Sequence, residues 1–394
     1  MGNNPSGQET DVVVNALRPY GTSIFTEMTV LANAHGAVNL SQGFPEMDGP
    51  EEIRQRAADA ILRGPNQYAL SMGILSLREA VARKMKRFYG VTVNPETDIT
   101  VTSGATEGLC ATLLGILEPD DEVILLEPAY DTYAPISALA HARIRYVSLE
   151  GDAFDLPKEK LAETFSSKTK AIIINNPQNP CCKVFSREEL AFIGDLCQQY
   201  NAYAIGDEVY EHLVYDGKKH VTLLSVPSLQ DRAFVVSSTA KTFSMTGWKI
   251  GYVVAAPALS KAVRMSHQFI VFSGQSALQE AMAYAMDFPD SYFTQFLSDY
   301  TCRRDLLTQA LKELGFRVLH SNGTFYVVAD ITPLGFDDDL SFCRMLPEKA
   351  GVAAIPCSVF WENRRSGRHL VRFCFAKKEE TLHEGIQRLR RWFK

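Results

Sequence analysis

Between residues 99 and 237 the chain repeats one pattern: a short apolar run, a turn, then a longer stretch with helical spacing. Ile99–Thr102, Glu122–Leu126, Arg143–Leu149, Ala171–Asn175, Tyr203–Asp207 and Ala233–Ser237 are strand-length and apolar. Runs of this length, bounded by turn residues, read as buried strands of the parallel type. Helical stretches such as Glu107–Leu117 and Arg187–Tyr200 lie between them. The second opens on Ser186 with Glu189 three residues on, a capping box that fixes where the helix starts. The alternation predicts an α/β fold with a mostly parallel sheet between helices.

After about residue 290 the texture changes. A helix is expected over Ser291–Leu314, ended by Gly315, then a strand at Phe325–Ala329 and a helix near Leu340–Ala350. Strands at Ala353–Pro356 and Leu370–Phe375 follow, and a closing helix over Glu379–Phe393. This reads as a smaller α+β domain. Residues 21–50, which carry the loop-like Gly43-Phe44-Pro45, are expected to join it. The expected division is an arm at 1–20, a large domain at 51–290, and a small domain from 21–50 and 291–394. A chain of 394 residues, 46% of them hydrophobic, can fill two such cores.

Composition narrows the partners. A net charge of -6 leaves no electrostatic footprint for nucleic acid. No apolar stretch is long enough to cross a bilayer, and no basic-then-apolar leader opens the chain. No membrane partner is expected, and the expected location is cytoplasmic. Cysteines 110, 181, 182, 197, 302, 343, 357 and 374 are scattered, without a Cys-x-x-Cys pair. They read as reduced thiols, and no metal is expected. The Met-Gly start with Ser6 matches a myristoylation pattern, although a polar arm with a chance match is the plainer reading.

The chemistry falls at strand ends, where open α/β sheets put their ligands. Lys241 stands among small hydroxyl residues, Ser237-Ser238-Thr239-Ala240-Lys241-Thr242, just after an apolar strand. An imine-forming lysine needs a neutral amine, which burial near a second cation such as Lys249 favours. The alternative is a structural lysine at a strand end. Asp207 closes another apolar strand and leads into Glu208-Val209-Tyr210. It could pair a buried cation, or simply cap a helix. Asn175-Asn176-Pro177-Gln178-Asn179-Pro180 holds two Asn-Pro steps, so a side-chain amide could be presented from an extended turn. Ser103-Gly104-Ala105-Thr106 is a small-residue turn opening a helix, which suits phosphate. It is neither Gly-x-Gly-x-x-Gly nor a Walker loop, so neither a dinucleotide nor a nucleoside triphosphate is indicated. Arg372 sits inside the apolar run Leu370-Val371-Arg372-Phe373-Cys374-Phe375. A buried guanidinium wants a planar anion, from a substrate carboxylate or from an internal salt bridge.

Taken in this order, the segments resemble the fold-type I (class I/II) pyridoxal-phosphate aminotransferases, and within them the kynurenine/glutamine and methionine aminotransferase group. The resemblance also rests on Ser41-Gln42-Gly43-Phe44-Pro45, Asn66-Gln67-Tyr68, Tyr130-Asp131-Thr132-Tyr133 and Met245-Thr246-Gly247-Trp248-Lys249. It runs from about residue 17 to the end. It implies pyridoxal 5'-phosphate as cofactor, with Lys241 as the Schiff-base lysine and proton shuttle. Asp207 would partner the pyridine nitrogen, and Asn179 and Tyr210 the ring hydroxyl. Tyr130 would stack on the ring, while Ala105, Thr106, Ser238 and Lys249 would hold the phosphate. Tyr68 would reach the phosphate of a neighbouring subunit, which implies a homodimer with shared sites. Arg372 would bind the substrate α-carboxylate, helped by the Gly43 backbone and Asn179. A side-chain pocket from Tyr20, Ile24, Phe44, Phe360 and Trp361 looks aromatic and apolar.

Where such proteins usually carry Gly, His and Pro, this chain has Ala240, Gln178 and Leu70, and Cys181-Cys182 follow Pro180. All four departures are expected close to the cofactor pocket. Three functions therefore remain in view: amino transfer from an apolar, sulfur-containing or aromatic L-amino acid to a 2-oxo acid, elimination or replacement on a sulfur amino acid or sulfonium, and a non-catalytic binding module.

Overall fold

The computed structural model describes residues 12–393, so the Met-Gly start and Ser6 lie outside the described residues. A seven-stranded sheet organises the larger part. Its order is Ile99–Ser103, Ile250–Ala255, Ala233–Ser238, Tyr203–Asp207, Thr169–Asn175, Glu122–Glu127, Arg143–Ser148. The last five of these pair parallel with one another. Ile250–Ala255 runs antiparallel to both of its neighbours. This strand is not among the expected ones, because Lys249, at the end of Met245-Thr246-Gly247-Trp248-Lys249, reads as a binding residue rather than as the turn into a strand. Arg143–Leu149 also reads as buried, whereas Arg143–Ser148 is the sheet's edge and alternates between exposed and covered positions. The inner strands are buried along their whole length, as a sheet covered on both faces requires.

Helix Gly104–Ile116 leaves the first strand through Gly104, whose φ of +75° a residue with a Cβ would adopt only under strain. The helix then packs against Pro257–Ile270. Arg187–Tyr200 carries the full Ser186/Glu189 capping box and ends on Asn201 in the left-handed region. Register brings Ser103, Ser238, Asp207 and Asn175 to one edge of the sheet, since Ser103 pairs Ile250, Ser238 pairs Gly251 and Asp207 pairs Asn175.

The rest of the chain builds a four-stranded antiparallel sheet: Ile355–Pro356, Leu370–Cys374, Tyr326–Asp330, Arg317–Val318. Helices Asp290–Glu313, Asp339–Ala350 and Glu379–Phe393 accompany it. The expected single strand at Ala353–Pro356 is two. Val352–Ala353 pairs with Val38–Asn39, and Ile355–Pro356 with Leu370–Cys374. The segment before residue 50 is thus tied to the C-terminal part, and the Leu40 carbonyl also accepts from Cys374 N at 2.8 Å. Among the described residues no helix is long and apolar enough to cross a membrane.

Candidate active site

A cavity of about 370 Å³ opens where the sheet edge meets the segments carrying Phe25, Gln42, Gly43 and Tyr326. Ala105, Thr106, Tyr130, Asn179, Asp207, Tyr210, Ser238, Lys241, Lys249 and Gly43 all line it, though they are scattered from residue 43 to residue 249 of the sequence.

One end is built for an anion. The first N–H groups of a helix have no partner within it, so the start of Gly104–Ile116 presents donors and the positive end of its dipole. Lys249 stands over that start: a Cβ on Gly104 would lie 3.0 Å from its Nζ. Gly251 makes the approach possible, since a Cβ there would be 2.7 Å from Ala105 N. Ser238 ends its strand beside them.

Asp207 lies at the other end, buried. No helix follows it, so the helix-cap reading does not apply. Tyr133 Oη donates to its Oδ2 at 2.7 Å. Burial pushes the carboxyl up to about 6, against the pull of the Tyr133 hydrogen bond. Lys241 reaches in between, half-buried, with Nζ donating to the Gly43 carbonyl at 3.1 Å. Burial brings its amine down to about 8, opposed by Cys374 and Asp207 and assisted by Arg372 and Lys249. An ammonium that loses its proton near neutrality is a usable nucleophile, and the structural-lysine reading offers no reason for that setting.

Asn179 is held from behind, its N–H donating to Asn175 Oδ1 at 2.6 Å. Its own Oδ1 accepts from Arg372 Nη1. A guanidinium has only donors, so this contact fixes the amide oxygen and leaves the Asn179 side-chain Nδ2–H groups for the cavity. Tyr130 forms the opposite wall, its ring 6.2 Å from Phe25 and 5.7 Å from Tyr133.

Arg372 lies just behind this wall and is completely buried. It donates to Asn179 and to the Ser41 carbonyl at 3.3 Å, while its Nε has no partner. No carboxylate pairs with it among the described residues, so the internal salt bridge is not the arrangement found. It stacks 3.8 Å over the Tyr326 ring.

Several expected residues lie off the cavity. Tyr68 is 82% exposed, edge-on to Phe272 at 5.2 Å. Tyr20 and Phe44 are at the surface. Phe360 is buried one layer behind Phe25, their rings 6.1 Å apart, and Ile24 and Trp361 are buried beside that layer rather than on the wall. The departures also sort themselves. Only Ala240 lines the cavity. Gln178 is tied to the Pro128 carbonyl at 2.7 Å, Leu70 is exposed, and Cys182 turns its thiol to the Tyr326 carbonyl at 3.2 Å. Gln178 and Cys182, held by those backbone hydrogen bonds, lie close to Asn179 without lining the cavity, and Leu70 lies in the same exposed segment as Tyr68. Sequence reasoning missed Phe25, Gln42, Leu109, Thr246 and Tyr326 on the wall, and Tyr133 behind Asp207. Gln42, Thr246 and Tyr133 stand inside segments that carry the resemblance, which is the signal they left; Phe25, Leu109 and Tyr326 left none.

A family model described as Aminotransferase class I and II matches residues 36–389. The solved structure of N-succinyldiaminopimelate aminotransferase from Mycobacterium tuberculosis superposes with a TM-score of 0.93 at 44% identity, covering 96% of this chain and 99% of that one. Methionine aminotransferase of Escherichia coli is 39% identical over 390 residues, 99% of this chain and 100% of the relative. Kynurenine–oxoglutarate transaminase 3 of Rattus norvegicus is 35% identical, covering 94% of this chain and 88% of the relative.

Proposed function

The chain belongs to the class I and II aminotransferases, and from that premise we propose that it moves the amino group of an apolar, sulfur-containing or aromatic L-amino acid to a 2-oxo acid. Pyridoxal phosphate is the family's cofactor. When bound, it supplies the electron sink that lets the substrate Cα give up its proton. The donor set fits it: an anion cradle at Lys249 and the helix start, an acid at Asp207, an amine at Lys241 between them, and an unpartnered Arg372 Nε. In this reading Ala105, Thr106, Ser238 and Lys249 hold the phosphate. Asp207, braced by Tyr133, holds the proton on the pyridine nitrogen, and Asn179 and Tyr210 donate to the ring oxygen. Lys241 would take the proton from Cα and deliver it to C4′ of the cofactor, the carbon that receives the amino group. Arg372 binds the α-carboxylate, with Tyr130 closing the ring face.

The observation that carries the substrate class is the use of charge. Lys241 and Lys249 are the basic residues on the cavity wall, Arg372 stands behind Asn179, and each already has a partner in the reaction. Phe25, Leu109 and Tyr130 supply the apolar wall. A dicarboxylate would need a fourth cation. The relatives named above are aminotransferases, so the elimination reading draws no support from them.

Incubating the holoenzyme with 2-oxo acids and a panel of donors tests this, with product 2-oxo acids measured by mass. Methionine and phenylalanine should exceed aspartate, glutamate and N-succinyldiaminopimelate in kcat/KM by at least about a hundredfold, the order expected when a buried site leaves one carboxylate unpaired. Preference for a multiply charged donor refutes the assignment.

The same reading takes the chain to be a cytoplasmic homodimer of two-domain subunits, divided near residues 50 and 290. Exposed Tyr68 and Phe272, with Leu70 and Phe269 also exposed, support a partner surface, and eight free cysteines suit a reducing compartment. A sedimentation mass of one chain at micromolar concentration would count against the dimer.

A further inference from the structure

We propose that Tyr326 is a positioning residue that sets which way the Tyr210 hydroxyl points, and through it how tightly the lysine-bound cofactor holds its imine proton. The inference rests on the reading that Lys241 and Tyr210 hold pyridoxal phosphate.

The two phenols lie in one cavity, with their oxygens 3.1 Å apart. Both are buried, and each shows this one hydrogen bond. Two hydroxyl protons and one shared bond leave one proton unspent, and sterics decide which. Tyr326 Oη abuts the Gly43 Cα: a Cβ on Gly43 would fall 1.9 Å from it. Its free flank is therefore closed by backbone, and its proton goes to Tyr210. The Tyr210 proton is then left for the cavity, where the ring oxygen would accept it. The same Gly43 offers its carbonyl to Lys241 Nζ at 3.1 Å, so amine, glycine and Tyr326 form one contact group.

A hydroxyl that accepts one hydrogen bond donates a stronger one. Tyr326 thus strengthens the bond from Tyr210 to the ring oxygen. That bond draws electron density from the oxygen and weakens its hold on the neighbouring imine proton. The ring of Tyr326 has a separate task. It lies under the Arg372 guanidinium at 3.8 Å, a face contact that steadies the group meant for the α-carboxylate. Hydroxyl and ring can be removed one at a time.

The experiment compares holoenzymes carrying Tyr326→Phe and Tyr326→Leu with the parent. The visible absorbance is titrated with acid and base, and KM for methionine is measured separately. Tyr326→Phe should move the titration midpoint upward by roughly 0.3–0.5 of a pH unit, the size expected when one cooperative hydrogen bond is lost. Its KM should stay within about twofold, because the ring under Arg372 remains. Tyr326→Leu should move the midpoint by a similar amount and also raise KM roughly fivefold to tenfold. A role confined to folding would lower melting temperature without moving the midpoint. A Tyr326→Phe midpoint equal to or below that of the parent overturns the inference. If instead Lys241→Ala keeps a borohydride-reducible chromophore, the underlying assignment fails and this inference falls with it.

Discussion

Replacing Asp207 by asparagine sets what the residue contributes to the reaction against what it costs the fold. The carboxylate is 5% exposed and takes a 2.7 Å hydrogen bond from Tyr133, and burial lifts it from 3.8 to about 6. Between those two values the folded chain keeps a proton that the unfolded chain has already lost. Stability of the cofactor-free protein therefore falls as pH rises through this window and stays low above it. The gap corresponds to about 3 kcal/mol at pH 7.5, shrinking to about 0.5 kcal/mol at pH 4. Asparagine carries no such dependence, and its Oδ1 can still accept from Tyr133. The cofactor-free Asp207→Asn protein should melt about 3 °C higher than the parent near pH 7.5. That advantage should fade towards pH 4. With pyridoxal phosphate added the order should reverse. Activity should drop at least about a hundredfold, since breaking a buried charge pair costs roughly 3–5 kcal/mol. Scanning calorimetry of both apoproteins across pH, with one activity assay, measures all of this. Equal melting at pH 7.5, or an advantage that does not change with pH, would refute the reasoning.

Three further outcomes are expected. Arg372→Lys keeps a positive charge but loses the planar fork and the stacking on Tyr326. KM for amino acids should rise roughly tenfold or more while cofactor affinity holds, and a spectral titration with cofactor separates the two. With its amine brought down to about 8 by burial, Lys241 in the cofactor-free protein should capture pyridoxal phosphate faster as pH rises through that value, then level off; a midpoint near 10 contradicts the site's electrostatics. Lys84 and Glu211 form a buried pair joined by Tyr89, Tyr252 and Ser237. Lys84→Met should cost roughly 3–5 kcal/mol in denaturant unfolding, and adding Glu211→Leu should recover part of it.

The parts of the site that could be read in advance share a physical signature. Asp207, Lys241 and Asn179 are polar residues that end or follow apolar strands, and a sheet edge is where such residues converge. Arg372 stood out because an apolar strand rarely carries a guanidinium. The closing helix Glu379–Phe393 could be bounded at both ends, since its apolar positions keep helical spacing throughout. Tyr326 could not be read: it resembles an ordinary core aromatic in its own segment, and only packing brings its hydroxyl to Tyr210. Strand Ile250–Ala255 was hidden for the opposite reason, because the chemistry-bearing Lys249 drew attention from the strand it introduces. Gln178 and Cys182 stay close to Asn179, as their place in the sequence leads one to expect, but successive residues in that turn point to different surroundings.

Burial acts unequally on Asp207, Lys241 and Arg372, and this bears on where discrimination can arise. It pushes Asp207 up and Lys241 down, so both move towards neutrality. Arg372 brings a planar cation into the same buried setting. It remains a fixed charge in a dry setting, satisfied by an amide oxygen and a carbonyl but by no anion among the described residues. In the proposed role, an α-carboxylate relieves that charge for every amino acid equally. Such binding is uniform and cannot select one substrate over another. Selection must then come from the rest of the wall. Phe25, Leu109 and Tyr130 there distinguish side chains by shape and by the cost of burying charge. A hydrophobic wall resolves one methylene by only about 1–3 kcal/mol. It follows that the enzyme should accept a family of uncharged donors with graded rates, and that substitutions at Phe25 should reorder that family while those at Arg372 should slow all of its members together.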